Sequence, residues 1–565
     1  MKRCPDCGRD YNDDSLSYCL DDGSELLFGP AFDDPRTAIF EADDPTSEAR
    51  TRPQIHTTNI PSDPGSTIDS GSRPFDKRLL LAPVALAAIV LAGFAGYRYL
   101  SSTGSKQIDS IAVMPFVNES GNPDIEYLSD GIAETLISSL SQLSDLTVKP
   151  RSSVFRYKGK NLDAPIVGKE LNVQTILTGT VVQRGSDIGL HVELVDSATD
   201  RVLWSKDYLR PLANLVNLQS EIAREVSSEL KTKLSGAEEQ KLTKQYTENA
   251  QAYQLYLLGR FHFNKRNKAD VYKAIDFFRQ AVDKDPNYAL AYSGLSDVYA
   301  ILQGYDPSVS SFESKSKGRE YALKALSLDD SLSEAHVSMG QLLQVPDFDF
   351  EGAEREFKRA IELDPKNANA FASYAMLLMP LGRFDQAEAN FRRALELEPA
   401  TTIINRHYGN FLFIARRYNE SEQHMRKTLE LDPNSQLSYF TLANALQRQG
   451  KLAEAVEVYA RSREIVGKND EAAAMRSSFN AGGWRGFVLD FEKKDWLAPD
   501  FRAKYITACR LASIGENQMA LDQLEHAFAD REGFITLINV DPRLDPLRDE
   551  PRFKELLKKI GFPER

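Results

Sequence analysis

Three of the four cysteines in this chain of 565 residues lie near the amino terminus, at Cys4, Cys7 and Cys19. In a Cys-x-x-Cys pair both thiolates can bind one ion, and Gly8 permits the tight turn that brings backbone amides towards the sulfurs. A closed structural zinc site needs four ligands, and Asp22 stands where a fourth cysteine would fall. The spacing therefore predicts that Cys4, Cys7, Cys19 and Asp22 bind a structural zinc ion.

This thiol-bearing segment, residues 1–27, resembles the short zinc ribbons that begin with Cys-Pro-x-Cys-Gly. So few residues bury too little apolar surface to fold without a metal or a partner, which favours a ribbon over a tail with reduced thiols. A catalytic zinc with an open position is a further alternative, but no histidine lies nearby to complete such a site. A ribbon that binds nucleic acid is also conceivable, although acidic residues outnumber basic ones here and would repel phosphate.

The next two segments predict how this site is tethered. Residues 28–78 are rich in proline, aspartate, serine and threonine without apolar periodicity, which indicates a disordered acidic linker. Residues 79–97 carry no charge, and as a helix they would extend roughly 28 Å, close to the thickness of a hydrocarbon core. We therefore predict a transmembrane helix over residues 79–100.

The orientation of this span is predicted from thiols and flanking charges. Thiolates that hold zinc persist in a reducing compartment, and all three candidates precede the span. Arg73, Lys77 and Arg78 lie before the span, and Arg98 and Lys106 lie after it, so the charge bias is small. We predict a single-pass protein with its amino terminus in the cytoplasm.

Residues 106–235 alternate short apolar runs with amphipathic helical patterns, which predicts an α/β domain. Residues 111–116 read as a strand, and Ile132 and Leu136 lie on one face of the helix that follows. The turn residues Gly185-Ser186-Asp187 separate two further strand patterns and predict a β-hairpin.

The α/β domain resembles the TolB amino-terminal-like family. Four short motifs carry the resemblance: Ile-Ala-Val-Met-Pro-Phe at 111–116, Tyr-Leu-Ser-Asp-Gly-Ile at 127–132, Leu-Thr-Gly-Thr at 177–180, and Val-Asp with Trp-Ser within 195–205. In bacteria this domain often lies between a membrane helix and helical repeats, downstream of a kinase, cyclase or DNA-binding domain. The resemblance implies a bacterial protein and carries over no catalytic residue. With the orientation predicted above, the span would lie in the bacterial inner membrane and the C-terminal domains in the periplasm.

Residues 250–535 contain an internal repeat. Pro365, Pro399 and Pro433 follow one another at intervals of 34 residues, and the first two are preceded at fixed offsets by alanine, phenylalanine and alanine. The alanines let paired helices approach, the aromatic ring fills the space between them, and the proline ends the second helix. This pattern is identified as the tetratricopeptide repeat. We predict six or seven copies in an all-α solenoid with a concave groove, covered at its open end by a capping segment at 536–565.

Partner-binding residues are expected on the inner helices of this solenoid. Arg406, Asn410, Asn444 and Arg448 follow one another at spacings of 4, 34 and 4 residues, so they share one face in two adjacent repeats. Tetratricopeptide proteins that hold a terminal carboxylate use Lys, Arg and Asn on this face, and Arg suits bidentate binding of a carboxylate. We predict that these four side chains bind a protein or peptide, although generic polar groove residues would give the same pattern.

The composition and the missing motifs limit the functional class. A net charge of −13 argues against a general nucleic-acid coat, and no phosphate-binding loop, nucleophile elbow or His-Glu-x-x-His helix occurs. We therefore predict a multidomain, non-enzymatic, membrane-tethered scaffold for protein–protein interaction, in signalling or envelope assembly. The alternatives are a membrane-bound regulator whose ribbon binds nucleic acid, and an enzyme of the repeat-containing cyclase or glycosyltransferase type, for which no stretch is long enough to hold a catalytic domain.

Overall fold

The computed structural model describes residues 108–160, 163–230, 235–306, 308–345, 347–494 and 503–563, together with three short strands nearer the amino terminus. The chain divides into two compact units, Met1–Thr103 and Gly104–Arg565.

The first unit contains three two-residue strands, β1 (Lys2–Arg3), β2 (Asp10–Tyr11) and β3 (Leu27–Phe28). Strand β1 lies in the middle and pairs antiparallel with both others. The predicted zinc ligands Cys4, Cys7, Cys19 and Asp22 lie outside the described residues, as does the predicted membrane span, so both stay predictions. Of the helices that the structure does describe, none has both the length and the apolar character needed to cross a bilayer.

The α/β domain contains a mixed sheet of order β6-β4-β7-β8-β9, with β5 paired to β7. Its strands are β4 (Ser110–Val113), β5 (Val117–Asn118), β6 (Thr147–Val148), β7 (Thr175–Arg184), β8 (Asp187–Asp196) and β9 (Arg201–Pro211). Strand β4 runs parallel to β6 and β7, whereas β7, β8 and β9 are antiparallel. Arg184 pairs with Asp187 across a two-residue turn in which Gly185 has a φ of 64°, which confirms the predicted hairpin.

Five helices complete this domain: α1 (Glu126–Ser141), α2 (Arg151–Val154), α3 (Ala164–Leu171), α4 (Leu215–Glu229) and α5 (Gly236–Thr243). The apolar faces of α1 and α4 join the strands in one buried core, in which Ile132 and Leu136 are fully buried as their spacing predicted. Tyr253 and Ala291 of the following repeats belong to the same core, so the domain and the repeats share buried apolar surface.

The C-terminal region consists of antiparallel helical pairs, as predicted. Six pairs follow one another: α6 (Ala250–Asn264) with α7 (Lys268–Lys284), α8 (Ala289–Tyr305) with α9 (Ser311–Leu328), α10 (Ser333–Gln344) with α11 (Phe350–Leu363), α12 (Ala368–Leu378) with α13 (Phe384–Leu397), α14 (Thr402–Ile414) with α15 (Tyr418–Leu431), and α16 (Gln436–Arg448) with α17 (Leu452–Ile465). After α18 (Asn469–Lys494), which bends at Gly483, α19 (Lys504–Ala512) and α20 (Asn517–Ala529) form a further pair.

A phenylalanine of the second helix is the centre of three of these pairs. Phe278, Phe357 and Phe391 are completely buried, as are the alanines that flank them in sequence. Around Phe278 the partner helices carry glycine: a Cβ atom added to Gly259 or Gly294 would lie only 2.5 or 2.7 Å from its ring. The small residues therefore create the space that the aromatic ring occupies.

We expect Gly294→Ala to destabilise the chain by about 1–3 kcal/mol, because the new methyl group overlaps the buried Phe278 ring. Gly304→Ala is the matched control in the same helix, since no atom of the described residues lies within 4 Å of its added Cβ, and we expect no loss or a gain of up to about 1 kcal/mol. Urea unfolding followed by circular dichroism measures both. Equal stability of the two variants would contradict this account of the packing.

The segment after α20 forms two 3₁₀ helices, Gly533–Asn539 and Pro542–Leu547, and the helix α21 (Pro551–Ile560). We call residues 530–563 the tail. The tail packs on α19 and α20, as expected of a cap, but it also reaches back to much earlier repeats. The tail therefore extends beyond the open end of the repeats, and its buried residues Leu537, Leu544 and Ile560 belong to the same apolar core as the repeats from residue 322 onwards.

Candidate protein-binding groove

The groove is formed by the first helix of each pair, which we call helix A: α6, α8, α10, α12, α14 and α16. Each helix A packs beside the helix A of the next pair. We call the second helix of each pair helix B. A helix A begins at the turn that follows the helix B of the preceding pair, and we call this side of the array the B-to-A edge. The same helix A ends at the turn that leads into its own helix B, and we call that side the A-to-B edge. These two edges are the opposite borders of the groove.

The α/β domain contacts the B-to-A edge. Lys366 Nζ donates hydrogen bonds to the carbonyl oxygens of Leu143 and Leu146, at 2.5 and 3.1 Å. Ser152 Oγ donates to Glu398 Oε2 at 2.9 Å. Lys366 and Glu398 each adjoin one of the repeated prolines, so the end of the second helix in two successive pairs contacts the α/β domain.

Glu134 of α1 is the centre of a second contact between the domain and the repeats. Its Oε1 accepts from Arg260 Nη2 at 2.7 Å, and its Oε2 accepts from Asn264 Nδ2 at 3.0 Å and from Arg151 Nε at 3.1 Å. Burial raises the pKa of Glu134, but the two guanidinium groups outweigh this effect and hold the pKa below its usual range. Both carboxylate oxygens are thus used to join α1 to helix α6.

The tail contacts the opposite, A-to-B edge. Asn539 Nδ2 donates to the carbonyl oxygen of Pro380 at 3.2 Å, and the guanidinium of Arg543 lies 5.6 Å from the ring centre of Phe413. Phe562 stacks on Phe350 with 5.3 Å between ring centres. The tail therefore runs along the A-to-B turns of several repeats, while the α/β domain borders the other side of the groove.

An aspartate of the tail occupies an arginine cluster at this edge. Asp545 accepts two hydrogen bonds from Arg416, at 2.6 and 2.9 Å, and one from Arg548 Nε at 2.8 Å. Arg448 Nη2 lies 3.8 Å from the same carboxylate. Partial burial raises the pKa of Asp545, but Arg416 and Arg548 lower it further than burial raises it. These arginines thus bind a carboxylate that belongs to the chain itself.

The four side chains predicted to bind a partner have different surroundings in the structure. Asn444 is 5% exposed and accepts a hydrogen bond from Tyr459 at 3.4 Å, so it packs inside its own repeat. Arg448 lies against Asp545 and 5.7 Å from the ring centre of Tyr418. Arg406 and Asn410 are half-buried on α14. Within the described part of the chain, no hydrogen bond joins these four side chains to one another.

Arg406 differs from the other arginines named above because no carboxylate forms an ion pair with it among the described residues. Its Nη2 instead donates a hydrogen bond to Nε2 of the neighbouring His407, at 2.9 Å. Burial lowers the pKa of Arg406 to about 10. Tyr305, at the end of α8, opposes this shift but offsets only part of it. Burial and the charge of Arg406 also hold the pKa of His407 far below its usual range, so the imidazole is neutral and accepts this bond.

The sequence did not predict two long-range contacts that border the groove. Glu134 and Asp545 lie far along the chain from their partners Arg260 and Arg416, and no spacing rule links such positions. The sequence signal nearest to one of these contacts is the density of proline, aspartate and arginine at 541–551, where Asp545 lies.

Comparison with known families identifies the repeats and gives a separate match for the α/β domain. Residues 347–403 and 424–457 match tetratricopeptide repeat families, which confirms tetratricopeptide repeats in the C-terminal region. Residues 106–225 match the family described as HilA/YgeH-like transcriptional regulator, second domain. The resemblance of this domain to the TolB amino-terminal-like family stays a prediction.

One curated relative and two solved structures illustrate these likenesses. A putative adenylate cyclase 3 from Rhizobium meliloti (strain 1021) is 34% identical over 187 residues, which is 33% of this chain and only 32% of that protein. The thermophilic tetratricopeptide protein TTC0263 of Thermus thermophilus is 17% identical, with a TM-score of 0.29, covering 36% of this chain and 98% of that one. YrrB, a tetratricopeptide protein with an unusual peptide-binding site, is 20% identical, with a TM-score of 0.24, covering 35% of this chain and 97% of that one.

Proposed function

We propose that this chain is a scaffold that binds an acidic segment of a protein partner in the groove of its tetratricopeptide repeats. The observation that carries the proposal is the half-buried guanidinium of Arg406, which lies on an inner helix and has no carboxylate partner among the described residues. A carboxylate from a partner would complete its hydrogen bonds in a bidentate geometry. Arg416 provides an internal precedent, since it already holds Asp545 in this way.

The remaining predictions from the sequence extend this proposal. A span at residues 79–100 would tether the scaffold to a bacterial inner membrane, with the repeats in the periplasm. Zinc held by Cys4, Cys7, Cys19 and Asp22 would stabilise a small cytoplasmic docking module. We propose a binding role rather than catalysis, in signalling or envelope assembly, and the pattern of motifs in the sequence supports this choice.

Replacing Arg406 by alanine is expected to lower partner capture about tenfold or more, because a charge-assisted hydrogen-bond pair is lost. Full-length protein would serve as bait against membrane and periplasmic extracts, with captured proteins quantified by mass spectrometry. Arg393→Ala is the matched control: this arginine is 48% exposed, pairs with Glu396 at 3.0 Å, and lies on a second helix rather than on a helix A. Identical capture profiles for the two variants would contradict the proposal, provided that circular dichroism shows both to be folded.

A second candidate function is a membrane-bound regulator of transcription. The family match of residues 106–225 favours this candidate. The net charge of −13 opposes it, since phosphate binding needs a basic surface. Titration of labelled duplex DNA with zinc-loaded, full-length protein distinguishes the two candidate functions. Salt-dependent binding of DNA would support the regulator. No binding of DNA would contradict the regulator and favour the scaffold.

A further inference from the structure

A cavity of about 280 Å³ lies between helix α1 of the α/β domain and the inner helices α6, α8 and α10. Its lining includes four tyrosines, Tyr246, Tyr253, Tyr256 and Tyr288. A volume of this size accommodates a small organic molecule. The cavity lies at the start of the repeats and is not lined by Arg406, so it is separate from the site proposed above.

Two buried polar groups in this lining lack hydrogen-bond partners among the described residues. Tyr288 is completely buried and its hydroxyl group is unpaired. Gln219 is 5% exposed; its Oε1 accepts a hydrogen bond from the Tyr253 hydroxyl, but its Nε2 has no acceptor. An unpaired buried donor is costly, so these groups indicate that the cavity holds an oxygen acceptor.

The carboxylate groups that line the cavity differ in the hydrogen-bond and ion-pair partners that they have. Asp130 is bound by Lys158 at 2.6 Å, Asp297 accepts a hydrogen bond from Ser338, and Asp364 accepts the backbone N–H of Lys366 at 3.0 Å. The carboxylates of Asp364 and Glu334 therefore both lack another side chain as partner in the described part of the chain, and of the two only that of Asp364 accepts a hydrogen bond from another residue there.

Glu334 is exposed, so a molecule in the cavity can reach its carboxylate. Desolvation by the surrounding cavity walls raises its pKa, the charges of Asp364 and Asp297 add to this effect, and the charge of Arg260 opposes it.

Most of the positively charged side chains that line the cavity already form ion pairs with carboxylates. Arg151 and Arg260 both bind Glu134, and Lys244 binds Asp329 at 2.7 Å. Lys241 lies close enough to Asp364 to lower its pKa. None of them forms an ion pair with Glu334 among the described residues. Because aromatic faces also attract cations, the tyrosines and Glu334 together favour a positively charged ligand.

We propose that this cavity binds a small organic amine that also carries an oxygen acceptor. The ammonium group binds the Glu334 carboxylate beside the tyrosine rings, and the oxygen accepts hydrogen bonds from Gln219 Nε2 and the Tyr288 hydroxyl. The ligand thereby satisfies the groups that the free protein leaves unpaired.

Isothermal titration of the full-length chain with alaninamide tests the proposal, and lactamide, in which a hydroxyl replaces the ammonium group, is the matched neutral probe. We expect binding of alaninamide and at least tenfold weaker binding of lactamide. Glu334→Gln should weaken alaninamide binding at least tenfold. Glu351→Gln should leave it unchanged, because Glu351 is an exposed glutamate in the first turn of α11, away from the cavity lining.

Tyr288→Phe provides a second readout. Removing an unpaired hydroxyl should maintain or raise the melting temperature of the free chain while it weakens alaninamide binding. Equal binding of the two probes, no binding of either, or unchanged binding by Glu334→Gln would overturn the proposal. Arg406→Ala should bind alaninamide like the wild type, so failure of the groove proposal and failure of this one are distinguishable.

Discussion

Asp541→Asn is expected to destabilise the chain by about 3–5 kcal/mol, because it leaves the buried guanidinium of Arg543 without its counter-charge. Asp541 is completely buried and Arg543 is 8% exposed. The pair shares hydrogen bonds at 2.6 and 3.0 Å, and the Tyr505 hydroxyl donates to the same carboxylate at 3.0 Å. Urea unfolding of the full-length chain measures the change.

The control for this prediction lies four residues away in the same tail. Asp545 is also bound by arginines, but its side chain is 30% exposed, so Asp545→Asn should cost only about 0–1 kcal/mol. Similar losses for the two variants would contradict the view that the buried pair anchors the tail.

The same pair predicts a pH dependence. Burial raises the pKa of Asp541, but Arg543 lowers it further, so the folded pKa lies below the unfolded value of about 3.9. A carboxyl group with a lowered pKa stabilises the fold fully above the unfolded pKa and loses this effect as the pH falls towards the folded pKa. Wild type should therefore lose stability below about pH 4 more steeply than Asp541→Asn does.

Glu134→Gln is expected to lower the free energy of unfolding by about 2–4 kcal/mol, because Arg260 and Arg151 lose their shared counter-charge. The Glu134 side chain is 19% exposed, which places the loss somewhat below that of a fully buried pair. Since Glu134 joins α1 to α6, hydrogen exchange should accelerate at the amides of both helices.

Glu229→Gln is the matched control, since Glu229 is an exposed glutamate in helix α4 of the same domain. We expect its effect to stay within about 0.5 kcal/mol. Equal free energies of unfolding for Glu134→Gln and this control, with unchanged hydrogen exchange, would contradict the view that the contact between Glu134 and Arg260 joins the α/β domain to the repeats.

The tetratricopeptide region illustrates what could be predicted from the sequence. Its helices were predicted from the 34-residue interval of Pro365, Pro399 and Pro433, and Phe357 and Phe391 are buried where the pattern required. The candidate site was predicted less well. Asn444 shares the helical position of a groove residue, yet its side chain packs on Tyr459, because a position fixes a face but not the rotamer or the neighbouring volume.

The sequence by itself determined the helical pairs, the hairpin about Gly185 and the aromatic core, because each depends on contacts within one turn, within one repeat or between adjacent repeats. Only the tertiary structure decided that Asp545 binds Arg416, that Glu134 binds Arg260, and that Arg406 has no such partner among the residues it describes. These pairings join residues more than a hundred positions apart. They depend on how the tail and the α/β domain border the groove, which no local periodicity specifies.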